Sequence, residues 1–261
     1  MSWETLLVEI PAPHLRVVTL NRPAVRNALN TQMGHDLTDL CTRLADDPDV
    51  WCVVLTGAGD KAFCAGADLK ERNGMSDAAW RAQHVIFERA FWGLLDFPKP
   101  LIAAVNGPCF AGGLEMALAC DFIHAVDTAR FALTEVSLGL MPGGMGTQTL
   151  PRAVGMRRAK EIILTARPFS AAEALEWGMV NALHPAAELM PKVLEVAAAI
   201  CANAPLSVRQ AKTSIHRGAS MSLADGVRFE IEAYNNLIST RDRMEGVRAF
   251  NEKRKPNFKG E

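Results

Sequence analysis

The sequence predicts an α/β fold whose last quarter is entirely helical, and three observations carry that reading. Short β-rich apolar runs at 6–10, 15–20, 50–55 and 101–105 alternate with stretches whose apolar residues recur at helical spacing. The runs at 50–55 and 101–105 are apolar throughout, as expected of strands covered on both faces. Beyond residue 189 no β-rich run interrupts the helical patterns.

Taken in order, residues 6–10 and 15–20 read as a strand pair separated by Pro11-Ala12-Pro13, and Asn21-Arg22-Pro23 stops the second strand. Thr31 is the expected N-cap of a helix to about residue 45, with Leu37, Leu40, Cys41 and Leu44 on one face. After the strand at 50–55 comes GAGDKAFCAGADLKER, residues 57–72. It opens on Gly57 and Gly59, but position 62 is Ala and no GK[ST] is present, so neither phosphate-cradling fingerprint is met. Gly66, set between small residues, suggests backbone that approaches something closely. Asp77 is the expected cap of a helix to about residue 95, and its stripe of Trp80, His84, Phe87, Phe91 and Leu94 reads mainly as core, with part of it available to a pocket. Residues 122–126 and 130–133 read as short strands, 134–146 as a Gly-rich loop, and the chain from 147 onward as mostly helical, with a strand end near 181–185. Helices are expected at 189–202, 206–217, 222–237 and 241–250, before a basic tail.

Composition narrows the function classes. The 261 residues suffice for one domain with an appendage, and a formal net charge of -1 offers no general field for nucleic acid or an anionic membrane. Six cysteines without CxxC spacing and six histidines without paired-ligand spacing argue for free thiols in a reducing compartment and against a metal site. Glu4 and Glu9 stand where a signal peptide would carry basic residues, and no apolar run is long enough to span a bilayer, so the expected location is the cytoplasm.

The chemistry concentrates in residues 106–121, NGPCFAGGLEMALACD. An apolar strand enters it, a Gly-rich turn follows, and the next segment is apolar apart from Glu115, which is therefore expected to point inward from a buried helix. Glu135, at the mouth of the Gly-rich loop, stands twenty positions further on, far enough for the chain to fold back and bring the carboxyls together. Two carboxyls around one water would titrate as a coupled pair, so that one serves as acid while the other is base; alone, Glu135 could as well cap a loop or pair with an Arg. Backbone N–H groups at a Gly-rich helix start, such as that of Gly112, and in the GADL turn could stabilise a developing oxyanion.

FCAGADLKER (63–72), NGPCFAGGLEMALACD (106–121), FALTEVSLGLMPGGMGTQTLPRAVG (131–155) and FNEKRKPNFKG (250–260) together resemble the crotonase superfamily of enoyl-CoA hydratases and isomerases. The resemblance implies a ββα spiral core over 1–195 that holds an acyl-CoA substrate. It also implies a helical trimerisation region over 196–261, a homotrimer or homohexamer, and no cofactor, coenzyme A being part of the substrate. It implies an oxyanion hole from the N–H groups of Ala67 and Gly112, with Glu115 and Glu135 catalytic. Ala65, Gly66, Asp68, Leu69, Lys70 and Leu140 would contact substrate, with Val25, Arg26 and Lys70 near the coenzyme A phosphates and Phe250 and Lys253 reaching it across a subunit boundary.

Glutamate at both positions matches the hydratases of the family, which implies syn addition of water to a 2-enoyl-CoA, Glu115 deprotonating the water and Glu135 protonating Cα. Ala111 departs from the Gly common there, a change expected to leave the neighbouring N–H in place. ADLKER, ALACD and PGGMGTQ resemble methylglutaconyl-CoA hydratases in particular, so a branched-chain substrate stands as the alternative, with isomerisation a further one. Met75, Trp80, Val136, Leu140 and Met141 are the expected pocket walls. Some relatives also bind RNA through a lysine-rich helix; here the corresponding residues 44–50 are acidic, which argues against nucleic acid as a partner.

Overall fold

The long apolar runs become the inner strands of a six-stranded sheet. In the computed structural model, which describes residues 3–261 and so leaves the first two residues of the expected core outside the description, β1 (Leu6–Ala12) and β2 (Leu15–Leu20) form an antiparallel hairpin. β3 (Cys52–Gly57), β4 (Leu101–Val105), β6 (Phe122–Val126) and β9 (Ala182–His184) then add in parallel, in the order β1-β2-β3-β4-β6-β9. A second sheet, β5 (Cys109–Phe110), β7 (Arg130–Ala132) and β8 (Phe169–Ser170), stands beside it. Every residue of β3 and β4 is buried, as their unbroken apolar character requires.

One side of the main sheet is covered by α1 (Thr31–Asp46) and α3 (Asp77–Leu95), which pack on each other. Leu37, Leu40, Cys41 and Leu44 bury the expected face of α1, and Phe87, Phe91 and Leu94 that of α3. α2 (Leu69–Arg72) is a single turn between them, and α4 (Gly112–Ala119) runs through the middle of the molecule. α5 (Gly146–Val154), α6 (Met156–Thr165) and α7 (Ala171–Glu176) follow, and α8 (Ala186–Cys201) packs against β3, β4 and β6. α9 (Pro205–Gly218), α10 (Leu223–Asn235) and α11 (Arg241–Asn251) complete the helical C-terminal region. Among the described residues no single helix is long and apolar enough to cross a membrane.

Several local expectations need correction. β1 continues through Pro11, which an edge strand tolerates because its outer side needs no ladder donor; the register shifts between Glu9 and Ala12 to absorb it. The helix caps are Asn30 and Ser76, whose side chains accept the N–H of Met33 and Ala79, while Thr31 and Asp77 already lie inside the first turn. Val50 closes a turn onto Asp47 and β3 begins two residues later. β8 interrupts the stretch expected to be helical: two residues are too few to show a period, and they are strand because Phe169 pairs with Phe131 across β7.

Candidate active site

α4 brings Glu115 to the floor of a cavity of about 570 Å³. The helix starts at once after β5, and all of its residues except Leu118 are buried, so Glu115 is only 3 % exposed, at the inner end of the cavity. Its Oε1 accepts two hydrogen bonds, from the N–H groups of Gly144 and Gly146, each 2.8 Å. Burial pushes its carboxyl up to about 7; the two amide donors pull the other way, and the charge of Glu135 adds to the rise. A side chain at Gly144 would strike Phe91 and the Glu115 carboxylate, so the loop can reach this close only as glycine.

Glu135 enters the same cavity from the short 3-10 turn Glu135–Leu138. Its Oε2 is buried and has no hydrogen-bond partner among the described residues, and burial raises its carboxyl, opposed by its own backbone N–H. A buried, unpartnered carboxyl oxygen favours the protonated form and a polar guest beside it.

Two backbone donors face these carboxyls. Leu29 donates to the carbonyl of Gly66 and accepts from the N–H of Asp68, so the intervening Ala67 turns its own N–H the other way, into the cavity. Gly66 makes that turn with φ +94°, where a Cβ would also lie 2.7 Å from that of Ala111. Gly112 is the first residue of α4, where an N–H has no helical acceptor. Neither N–H meets a protein acceptor among the described residues, and a Cβ built on Gly112 would lie 3.9 Å from the Ala67 nitrogen, which makes the two donors neighbours.

The remaining expected contacts divide. Ala65, Leu69 and Leu140 line the cavity beside Ala67. Val25, Arg26 and Gly66 do not line it but lie just behind that rim, the Arg26 carbonyl accepting the N–H of Ala65. Asp68 is a structural residue: it caps α2 through the N–H groups of Lys70 and Glu71 and pairs with Arg22 at 2.9 Å. Burial pushes its carboxyl up, and the Arg22 and backbone bonds outweigh this to hold it below the usual range. Lys70 is exposed on α2 outside the cavity. Phe250, 83 % exposed, and Lys253 also lie outside the cavity of their own chain. Of the expected walls, Trp80, Leu140 and Met141 line the cavity and Met75 and Val136 do not. Phe87 and Phe91 do, so the aromatic stripe of α3 is both core and wall. Sequence reasoning missed Gly144 and Gly146 as partners of Glu115; the glycines were visible but not the close approach they allow. It also missed Arg72, which lines the cavity from the last position of the ADLKER motif.

Two amide donors converging opposite two proton-binding carboxyls, in a cavity large enough for an acyl chain, define an enzyme site that can polarise a carbonyl while moving protons at its neighbouring carbons. Comparison with known proteins agrees. The model of the enoyl-CoA hydratase/isomerase family matches residues 13–261. A putative enoyl-CoA hydratase/isomerase, YngF, of Bacillus subtilis is 44 % identical over 257 residues, 98 % of this chain and 99 % of that protein. A short-chain-enoyl-CoA hydratase of Clostridium acetobutylicum is 42 % identical over 239 residues, 92 % of each. The crystal structure of an enoyl-CoA hydratase from Bacillus anthracis superposes with a TM-score of 0.97 at 42 % identity, covering 99 % of this chain and 100 % of that one. The chain belongs to the enoyl-CoA hydratase/isomerase family of the crotonase superfamily.

Proposed function

We infer that the chain is an enoyl-CoA hydratase that adds water in syn fashion across the double bond of a 2-enoyl-CoA. The observation that carries the mechanism is the pairing of Glu115, fixed by two amide donors, with Glu135, whose buried Oε2 has no partner. Both line one cavity, and the attacking water would lie between them. Glu115, with a carboxyl near 7, is ionised in most molecules just above neutrality and still basic enough to take a proton from that water. The water oxygen bonds to Cβ, the double-bond electrons move toward the thioester carbonyl, and the N–H groups of Ala67 and Gly112 donate to the resulting oxyanion. Glu135 then delivers its proton to Cα as the carbonyl reforms. With both carboxyls acting from one side of the acyl chain, the addition is syn. Every step uses groups of the chain itself and calls on no cofactor.

The substrate is an acyl-CoA thioester, with the coenzyme A leaving the cavity past Ala65 and Leu69 toward Val25 and Arg26. Assembly as a homotrimer or homohexamer through residues 196–261 is supported by the apolar side chains exposed on α9–α11, and six free thiols suit a reducing cytoplasm. The test is hydration of crotonyl-CoA, followed by loss of the conjugated thioester absorbance. Wild-type protein is expected to turn over and to place solvent deuterium at Cα. Glu135→Gln is expected to lower kcat by about 10²- to 10⁴-fold, the usual worth of a positioned acid. Near-normal kcat in that variant overturns the mechanism.

A further inference from the structure

Away from the cavity, two thiols meet whose chemistry hydration does not use. Cys52 opens β3, and Cys201 is the last residue of α8, the helix that packs on that strand. Neither lines the cavity. Far apart in the chain, their side chains stand in hydrogen-bond contact. One backbone carbonyl fixes both residues to the same place: that of His14 accepts the N–H of Cys52 at 3.2 Å and lies 3.9 Å from the Cys201 Sγ.

The two partners are unlike. Cys52 is fully buried, and its thiol is pushed up, first by the hydrogen bond to Cys201 and then by burial. Cys201 is partly exposed, and the same bond, donated by Cys52, holds its thiol below the usual range against the effect of burial. The charged groups that act on Cys52, Asp121 and Lys212, pair with each other at 2.9 Å and so oppose one another there. A thiol within reach of solvent and disposed to ionise thus rests against one that solvent does not reach, the division between an attacking and a resolving cysteine. The other four thiols lack this division. Burial pushes all of them up, Cys41 and Cys64 to about 12. Cys64 and Cys109 stand side by side in a backbone bridge, yet both are fully buried, which makes them a comparison pair within the same molecule.

The position of Cys201 gives the contact a consequence. α8 and α9 meet at 105°, and Cys201 is the last residue of α8 before that bend. A bond from Cys201 to Cys52 would fasten the final turn of α8 to the central sheet at the point where the C-terminal helices leave it. Sulfurs already in contact have only to close to about 2 Å, and a helix end is the part of a helix that yields most readily.

We propose that Cys52 and Cys201 are a site of reversible oxidation by peroxide, at which a disulfide forms and staples α8 to β3. Cys201, as its thiolate, attacks one peroxide oxygen; the O–O bond breaks, the other oxygen leaves as water with a proton from solvent, and Cys201 becomes a sulfenic acid. The Cys52 sulfur then bonds to that of Cys201, its proton goes to the departing hydroxyl, and a second water leaves. Two electrons pass from the two cysteines to one peroxide, and a dithiol reductant reverses the bond. None of this depends on the hydratase reading.

The test uses the full chain, purified reduced, treated with hydrogen peroxide, then alkylated under denaturing conditions and mapped by mass spectrometry. One disulfide is expected, Cys52 to Cys201, removed by dithiothreitol, with Cys64 and Cys109 recovered as alkylated free thiols. Cys52→Ala is expected to stop at the Cys201 sulfenic acid, which dimedone traps, and Cys201→Ser to slow thiol oxidation by about tenfold or more. The oxidised wild-type protein is expected to unfold at a temperature higher by about 5 °C or more, a gain lost on reduction and absent from both variants. A disulfide between Cys64 and Cys109 instead, or no linked pair at all, overturns the proposal. A Cys52–Cys201 disulfide that leaves the unfolding temperature unchanged or lowers it overturns the staple. Should either variant fail to fold, the wild-type map and its unfolding temperature decide alone.

Discussion

Glu115 shows at the scale of one side chain how function and stability pull apart. Burial makes its ionisation costly, and the carboxyl that sits at 4.5 in the unfolded chain rises to about 7 in the folded one. The folded state therefore holds the proton more tightly, and stability is lost as pH climbs from about 4.5 to about 7 and then levels off. A shift of this size corresponds to a cost on the order of 3 kcal/mol at pH 8. In Glu115→Gln, one oxygen can still accept the N–H groups of both Gly144 and Gly146, because Oε1 alone makes both bonds in the native chain. The variant should thus be nearly inactive yet more stable than wild type at pH 8 and similar to it at pH 4. Urea titrations at the two pH values measure this; a Glu115→Gln protein less stable than wild type at pH 8 would count against a buried, strained charge. In the active enzyme the same ionisation should appear as a rise in kcat/KM through about pH 7. Glu115 was legible in the sequence because a lone carboxyl in an apolar helix has few other uses. Its proximity to Glu135 followed only from allowing the chain to fold back, and the partners Gly144 and Gly146 were hidden because a missing side chain carries no chemical mark.

At the scale of the element, the β5–α4 junction sets the donor geometry, and its three small residues are not equivalent. Ala111 has φ 48° and ψ -125°, a region costly to a residue with a Cβ. Gly112 has only ordinary contacts around a built Cβ, whereas one on Gly113 would collide with the carbonyl and Cβ of Cys64. The Cys64 carbonyl in turn accepts the N–H of Phe110 in a backbone bridge alongside Cys109, so α4 is pressed against the loop that carries Ala67. Ala111→Gly should keep activity and raise stability by about 1 kcal/mol, strain relief exceeding the added freedom of the unfolded chain. Gly113→Ala should separate the two donors and lower kcat on crotonyl-CoA by 10²-fold or more, as loss of an oxyanion donor does elsewhere. Thermal unfolding and steady-state kinetics on both variants test the pair, and a Gly113→Ala enzyme with wild-type kcat would contradict the close packing. Periodicity exposed the long helices and apolar strands well. It missed β8 and misplaced the caps at Thr31 and Asp77, because two-residue strands and cap hydrogen bonds are decided by tertiary neighbours such as Phe131 and by which of two adjacent polar side chains reaches back.

At the scale of the whole molecule, the balance of burial differs between the two ends of the chain. Residues up to about 200 supply the central core, while α9–α11 leave large apolar side chains in the open. Leu223, 86 % exposed, Val227, Ile231 and Tyr234 recur along α10 at spacings of four, four and three, a single stripe, and Met244, Val247 and Phe250 are exposed on α11. A helix hydrophobic on a face that its own chain does not cover is built for another chain. Light scattering should therefore give a mass three or six times the 28.4 kDa of one chain. Ile231→Asp, which places a charge in the middle of the stripe, should shift the mass toward one chain. Its effect on catalysis discriminates further. Glu115, Glu135 and the N–H groups of Ala67 and Gly112 all come from one chain, whereas Phe250 and Lys253 lie outside that chain's cavity. If those two reach coenzyme A from a neighbour, dissociation should raise KM for crotonyl-CoA several-fold more than it lowers kcat, as loss of uniform binding does. A wild-type protein that scatters as a single chain would refute the assembly, and an Ile231→Asp protein that is monomeric with unchanged KM would remove Phe250 and Lys253 from the substrate site.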